Sequence, residues 1–233
     1  MSKTEETKPL KYGCEFCKRE FARESTVLSH ICEYKHRWIN KDQQSNRIAF
    51  QAFVHFYKKN SASKKLKTQE EFIRSAYYAA FAKFGSYCVD INAVNVLRYV
   101  DWLLGNQIKL DAWCQDSNYT KYIIEYVRFE NAFDAIARSV EHIAPLAEKE
   151  KVQINDYFRY GNVNRICLEI TKGKISPWML YCSDSGTQFI ESLNPDNVKM
   201  IFDYINPEQW ALKFHREPDI KQQIKDTLTL AGY

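Results

Sequence analysis

Apolar residues recur at helical spacing over most of the chain, and nowhere do they alternate long enough to build an extended sheet. Between residues 46 and 59, Ile48, Phe50, Phe53, Val54, Phe56 and Tyr57 form a broad stripe. A stripe that wide predicts a largely buried helix, ending at Lys58 and Lys59. Thr68 with Glu71 forms a capping box, and EEFIRSAYYAAFAKF then predicts a helix that stops at Gly85. Asp90 is the expected cap of the next helix, INAVNVLRYVDWLL, which stops at Gly105. A short piece, LDAWCQD, follows. Residues 119–151 read as one long or kinked helical run with Pro145 as the break. Two shorter helices are expected at residues 154–158 and 162–171. Ser176-Pro177, Asn194-Pro195 and Asn206-Pro207 each set a capping side chain before a proline, the signature of a helix start. A polar amphipathic helix over residues 219–230 closes the chain. Ser183-Asp184-Ser185-Gly186 reads as a turn or helix break.

One stretch departs from this helical rhythm. In YGCEFCKREFARESTVLSHICEYKH, residues 12–36, Cys14 and Cys17 are two residues apart, twelve residues separate Cys17 from His30, and five separate His30 from His36. Two cysteines on a tight turn present both sulfurs to one side. Two histidines about a turn and a half apart on a helix present both imidazoles to one side. Together the four side chains make a tetrahedron for Zn2+, an ion with no geometric demand of its own. Tyr12, Phe21 and Val27 occupy the positions that fill a small core over the metal. On these residues the segment resembles the C2H2 (ββα) zinc-finger family. The resemblance implies a pair of short strands within residues 11–22 and a helix from about Glu24 that runs on through Lys35, His36, Arg37 and Trp38. It also implies a fold that exists only with metal bound. Cys14, Cys17, His30 and His36 are the expected ligands, with Cys32 competing with His36 for the fourth position.

Composition and charge add a partner to this picture. The chain is 45% hydrophobic and 15% aromatic, enough for a folded core. No run of 18 apolar residues exists, so no membrane span is expected. Residues 1–11 lack an apolar core and read as a disordered leader rather than a secretory signal. Of seven cysteines, Cys88, Cys114, Cys167 and Cys182 sit in apolar helical contexts and read as buried free thiols. A reducing cytoplasm fits that usage. Residues 1–67 hold 15 Lys+Arg against 7 Asp+Glu, whereas residues 68–233 hold 18 against 22. The positive charge therefore gathers around the finger and points to a polyanion, DNA before RNA. Arg19, Arg23, Lys35, Arg37, Lys41, Lys58, Lys59, Lys64, Lys65 and Lys67 are the candidate phosphate contacts. Arg23 alone on the finger helix suits a bidentate guanine contact, since Ser25, Thr26 and Ser29 are weak readers. A single finger covers roughly three base pairs, so phosphate binding or docking is expected ahead of sequence reading. Trp38 and Tyr57, beside basic residues, are the candidate base-stacking rings.

Nothing comparable points to catalysis. There is no Gly-rich phosphate loop and no His-Glu-x-x-His. His55 reads as a satisfied core histidine. Asp101, Asp111, Asp116, Glu125, Glu130 and Asp134 would have to meet in a bundle to hold Mg2+, and their spacing does not demand it. The predicted architecture is mainly α: a leader at 1–11, a finger at 12–40 and an all-α multi-helix domain at 44–233. KTQEEFIRSAYYAAFAKFG at 67–85 and KGKISPWMLYCSDSG at 172–186 look like segments of accessory proteins of T-even-type bacteriophages, and the class most resembled is the helicase-loading protein. That resemblance implies an all-helical protein that binds forked and single-stranded DNA in the bacterial host cytoplasm. The expected function is a non-enzymatic, zinc-dependent nucleic-acid-binding accessory protein of phage replication, recombination or transcription, with a protein partner on the helical domain. The alternative is a protein–protein adaptor in which the finger docks or staples the fold. A nuclease with acidic ligands is the enzymatic alternative.

Overall fold

The computed structural model describes residues 12–60 and 65–233, so the expected leader and Lys64 lie outside the described residues. A two-stranded antiparallel sheet opens the described chain and everything after it is helical. The chain divides into two compact units, Met1–Cys114 and Gln115–Tyr233. That division runs through the segment 44–233.

In the first unit, β1 (Tyr12–Gly13) pairs with β2 (Glu20–Phe21), Tyr12 lying opposite Phe21. Then come α1 (Glu24–Ser29), α2 (Glu33–Ile39), α3 (Gln44–Asn60), α4 (Gln69–Arg74), α5 (Tyr78–Asp90) and α6 (Val96–Gly105), followed by a 3-10 turn at Leu110–Ala112. The core forms where α3 packs on α5 and α6. Phe53, Phe72, Phe81, Phe84, Tyr99 and Trp113 are all buried there. Trp113 is the hub, its ring centroid 5.2 Å from Phe84, 5.8 Å from Phe81 and 6.0 Å from Phe56, each edge-on. Both polar tips in this cluster are satisfied. The indole N–H of Trp113 donates to the Ile108 carbonyl at 3.0 Å, and the Tyr99 hydroxyl donates to the Trp113 carbonyl at 3.0 Å.

Two expected boundaries in this unit move, each for a local reason. The run from Glu70 to Phe84 is broken at residues 75–77, where the Ser75 hydroxyl accepts the Tyr77 amide at 3.1 Å and turns the chain. The second half then passes straight through Gly85. A Cβ at Gly85 would stand 2.1 Å from the Ser45 carbonyl oxygen and 2.9 Å from the Ala49 nitrogen, so this glycine lets α5 and α3 touch rather than ending a helix. Asp90 is the last residue of α5 rather than a cap. α6 is capped by Asn95, which sits at φ 46° and accepts the Arg98 amide at 3.3 Å.

The second unit contains α7 (Asp116–Phe129), α8 (Ala132–Glu150), a 3-10 turn at Ile154–Asp156, α9 (Tyr157–Tyr160), α10 (Val163–Thr171), α11 (Pro177–Cys182), α12 (Asp184–Ser192), α13 (Pro195–Ile205), α14 (Pro207–Arg216) and α15 (Pro218–Leu230). The Ser-Pro and both Asn-Pro starts form as predicted, each with the side-chain oxygen accepting a first-turn amide. Pro145 does not break its helix. The break falls at Glu130–Asn131, where the side-chain Oδ1 of Asn131 accepts the amides of Phe133 and Asp134 and starts α8 afresh. Beneath the α11 start lies a buried polar knot. The Ser176 hydroxyl donates to Glu130 Oε1 at 2.8 Å, and the Ser176 amide donates to the Ser139 hydroxyl at 2.9 Å. Arg138 faces Glu130 Oε2 at 2.5 Å and donates through Nε to the Gly173 carbonyl at 2.9 Å. Burial pushes the Glu130 carboxyl up, while the Arg138 guanidinium and the Ser176 hydroxyl pull against that rise.

Candidate metal centre

The finger is built so that four ligand atoms converge. The backbone amide of Cys14 donates to the Arg19 carbonyl at 2.9 Å and that of Lys18 donates to the Cys14 carbonyl at 2.8 Å. This tight turn, closed by Lys18 at φ 61°, brings Cys14 and Cys17 to one side. α1 then ends at Ser29. His30 and Cys32 both lie in extended backbone, at φ −70°, ψ 122° and φ −89°, ψ 168°. Side chains two residues apart on an extended chain point the same way, so His30 and Cys32 face the knuckle together.

Cys14, Cys17, His30 and Cys32 form a group whose ligand atoms all lie within 4.8 Å of one another, the one such group of His, Cys, Asp or Glu side chains among the described residues. Cys14 Sγ is 3.9 Å from Cys32 Sγ, and Cys17 Sγ is 3.4 Å from His30 Nε2. A tetrahedral zinc site with metal–sulfur bonds near 2.3 Å and metal–nitrogen bonds near 2.05 Å has edges of about 3.8 Å between sulfurs and about 3.6 Å from sulfur to nitrogen. The observed separations match both edges. They are far from the roughly 2.05 Å of a disulfide, and all seven cysteines are free. The site can hold a metal ion, and its donor set of three thiols and an imidazole is consistent with zinc.

The local electrostatics already separate the thiols. The backbone amide of Cys17, with that of Phe16, holds the Cys14 thiol below the usual cysteine range. The Arg19 amide acts the same way on Cys17, yet burial and the adjoining Cys14 and Cys32 sulfurs push that thiol up overall. Cys32 is the N-cap of α2 and its sulfur accepts the Lys35 amide at 3.4 Å. A sulfur acceptor is thus placed at the N-terminus of α2.

His36 is not brought to this group. The expected single helix through residues 24–38 is two helices with an extended link, and α2 starts only after Cys32. His36 therefore rides α2 away from the knuckle, and its Nε2 lies 3.1 Å from Asn40 Nδ2. Of the expected core positions, Phe21 packs on the His30 ring at 4.7 Å between centroids and lies opposite Tyr12 in the sheet. Phe16 meets Trp38 at 6.3 Å.

The candidate phosphate contacts divide sharply. Arg19, Arg23 and Lys58 are exposed and carry no ion pair among the described residues. Lys35 is spent inside the finger, donating to the Leu28 carbonyl at 3.3 Å and the His30 carbonyl at 3.1 Å. Arg37 fastens the finger to the helices behind it: it donates to the Ile73 carbonyl at 2.6 Å, pairs with Glu33 and stacks over Tyr78 at 4.1 Å. Lys41 pairs with Asp42 at 2.9 Å, Lys59 with Asp101 at 3.2 Å and Lys67 with Glu71 at 2.9 Å. Lys65 is exposed. Of the stacking candidates, Trp38 has Lys41 over its ring at 5.0 Å and Tyr57 has Lys67 at 5.2 Å. His55 is satisfied as expected, by Asp101 at 2.7 Å. Asp101 is thereby held below the usual carboxylate range, its burial being outweighed by hydrogen bonds from His55 and Lys59. Glu130, another of the acids considered for Mg2+, is taken by Arg138 and Ser176. Arg37 could not be recognised as a bracket from sequence, because its partner Ile73 is a backbone carbonyl 36 residues away. No helix among the described residues is long and apolar enough to cross a membrane.

Comparison with protein-family models, with curated proteins and with solved structures returns no match.

Proposed function

We propose that the protein is a non-enzymatic accessory protein that binds nucleic acid through a zinc-organised finger and a protein partner through its helices. Cys14, Cys17, His30 and Cys32 hold the zinc, Cys32 taking the place expected of His36. The observation that carries this reading is the convergence of three sulfurs and one nitrogen within 4.8 Å of one another, with one sulfur–sulfur and one sulfur–nitrogen separation at tetrahedral edge lengths. Exposed Arg19 and Arg23, neither in an ion pair among the described residues, lie between Cys17 and His30 in sequence, Arg19 with its guanidinium 5.5 Å from the Phe21 ring centre, and Lys58 adds a third exposed cation on the same unit. Zinc fixes the backbone on which the two arginines stand, so phosphate binding becomes metal-dependent. Forked DNA is tested as the substrate on the sequence resemblance of residues 67–85 and 172–186 alone, which no comparison with known proteins reproduces.

The test is binding of the zinc-loaded protein to labelled single-stranded, duplex and forked DNA across a salt series. Three phosphate contacts predict a log–log salt slope of about −2 to −3. Arg19→Ala with Arg23→Ala, and separately Cys14→Ser with Cys17→Ser, should each abolish most of the binding. Affinity that is absent at low salt, or flat with salt, removes the nucleic-acid reading.

A second reading has its own support. Lys35 and Arg37 are both engaged internally, and Arg37 binds the finger to α4 and α5. A finger so fastened serves equally as a folding staple or docking module of an adaptor. Loss of zinc would then lower stability and partner binding while DNA stays irrelevant.

A further inference from the structure

The second unit is slightly acidic, with 14 Lys+Arg against 17 Asp+Glu over residues 115–233. One groove on it is nevertheless cationic. A cavity of about 760 Å3 runs between α14 and α15, with His215, Lys221 and Lys225 on its walls and no acidic residue lining it. Its apolar floor comes from Pro207, Ala211 and Phe214 among others. Neither Lys221 nor Lys225 has an ion-pair partner among the described residues. Helix-end electrostatics do not account for these two lysines. His215 lies in the last turn of α14, where a cation is favourable, but Lys221 follows directly on the first turn of α15, where it is not. The other flank of α14 repeats the pairing of charge with apolar surface. There a cavity of about 240 Å3 is lined by Arg128, Arg216 and the Lys213–Glu217 ion pair together with Phe129 and Leu212, which are 85% and 57% exposed.

We propose that the α14–α15 groove is a docking site for an acidic amphipathic helical segment of a protein partner. Lys221 and Lys225 stand one helical turn apart, so they match carboxylates spaced i, i+4 on the incoming segment. Leucine-type side chains from the same segment cover Pro207, Ala211 and Phe214, in the helix-in-groove mode. A nucleic-acid strand fits less well. Base stacking needs an open ring face, whereas Trp210 and Phe214 are only 1% and 9% exposed, the Lys221 ammonium sits 4.6 Å from the Phe214 ring centre, and the half-buried Tyr181 ring is itself packed 5.8 Å from both. A strand would gain phosphate contacts alone and leave the apolar floor uncovered. This gives the partner of the helical unit its chemistry and does not depend on the metal-centre reading.

The experiment is fluorescence anisotropy with the full zinc-loaded chain and three labelled probes. The first is a helical peptide with leucines at i, i+3, i+4 and i+7 and glutamates elsewhere. The second is the same peptide with lysine for glutamate, and the third is oligothymidylate. The acidic peptide should bind in the micromolar range, and at least about tenfold more tightly than the lysine peptide. Lys221→Glu with Lys225→Glu should weaken it by a similar factor, as should Ala211→Arg, which fills the groove. All three positions are at least partly exposed, so an unchanged melting temperature shows the variants to be folded. The proposal is overturned if the acidic peptide binds no better than the lysine peptide, or if the charge reversals leave its affinity unchanged. It is also overturned if the oligothymidylate alone binds and loses affinity with the same reversals, which would make the groove a nucleic-acid site. Salt-dependent DNA binding through Arg19 and Arg23 is read separately and survives any of these results.

Discussion

The finger and the helical body of the first unit are held together by different means. Over residues 12–40 the only buried side chain is Cys14. A few tens of residues later, Phe53, Phe72, Phe81, Phe84, Tyr99 and Trp113 are each 2% exposed or less. Burial of one large side chain contributes roughly 1.5–3 kcal/mol, so the helical body has a hydrophobic core and the finger has almost none. What the finger has is four potential ligand atoms within 4.8 Å of one another. If a metal binds there, as proposed, its coordination takes the place that aromatic packing takes in α3–α6, and the two regions should respond oppositely to chelators and to core truncation.

The largest expected effect follows directly. A structural zinc site contributes on the order of 10 kcal/mol of apparent binding energy, nearly all of it coupled to folding. Chelation, or Cys14→Ser, should unfold residues 12–36, seen as loss of amide dispersion and protection there, while α3, α5 and α6 keep theirs. Ligand choice sharpens this. Cys32→Ser should lower zinc affinity by a hundredfold or more, and His36→Gln should leave it within about twofold, measured by competition with a chromogenic chelator. The reverse order would restore the histidine pattern and place the α1–α2 break in doubt.

Trp113→Ala tests the other region. Removing the hub of the aromatic cluster should cost about 3–5 kcal/mol in urea unfolding of the helical body, with no change in zinc stoichiometry. Gly85→Ala gives a smaller but more telling result. In an open helix that change stabilises by roughly 1 kcal/mol. Here the added methyl meets the Ser45 carbonyl and the Ala49 backbone, neither of which is a flexible side-chain end. The expected sign is therefore reversed, a loss of about 1–3 kcal/mol. A gain would mean that α3 and α5 are further apart than they stand here.

These same residues show what sequence can carry. That Cys14, Cys17 and His30 would come together was readable because the knuckle fixes the spacing of the cysteines and the distance to the next candidate. The fourth member of the group was not, because two candidates lay within six residues and the choice depends on whether the helix continues past Ser29. That continuation is set by an extended link at His30–Cys32, which no periodicity announces. Gly85 was misplaced for a related reason. Glycine serves both at helix ends and at close helix contacts, and only the neighbour at Ser45 separates the two roles. The proline-marked starts at Pro177, Pro195 and Pro207 were legible since each depends on local chemistry alone. The α14–α15 groove was invisible because Lys221 and Lys225 acquire meaning only beside Phe214 and Ala211 on another helix.

The smallest expected effect again separates the finger from the body. Lys18 closes the knuckle at φ 61°, a left-handed conformation that costs a residue with a Cβ roughly 1 kcal/mol. Lys18→Gly removes that strain but adds freedom to the metal-free chain, so the net gain is a few tenths of a kcal/mol to about 1 kcal/mol. Because the finger folds with its metal, this gain should appear as zinc affinity, about two- to fivefold tighter in the chelator competition. The urea midpoint of α3–α6 should not move. A shift in that midpoint without a change in zinc affinity would show that the knuckle is set by packing on the helices behind it, and the contrast between a metal-held finger and a core-held body would fail.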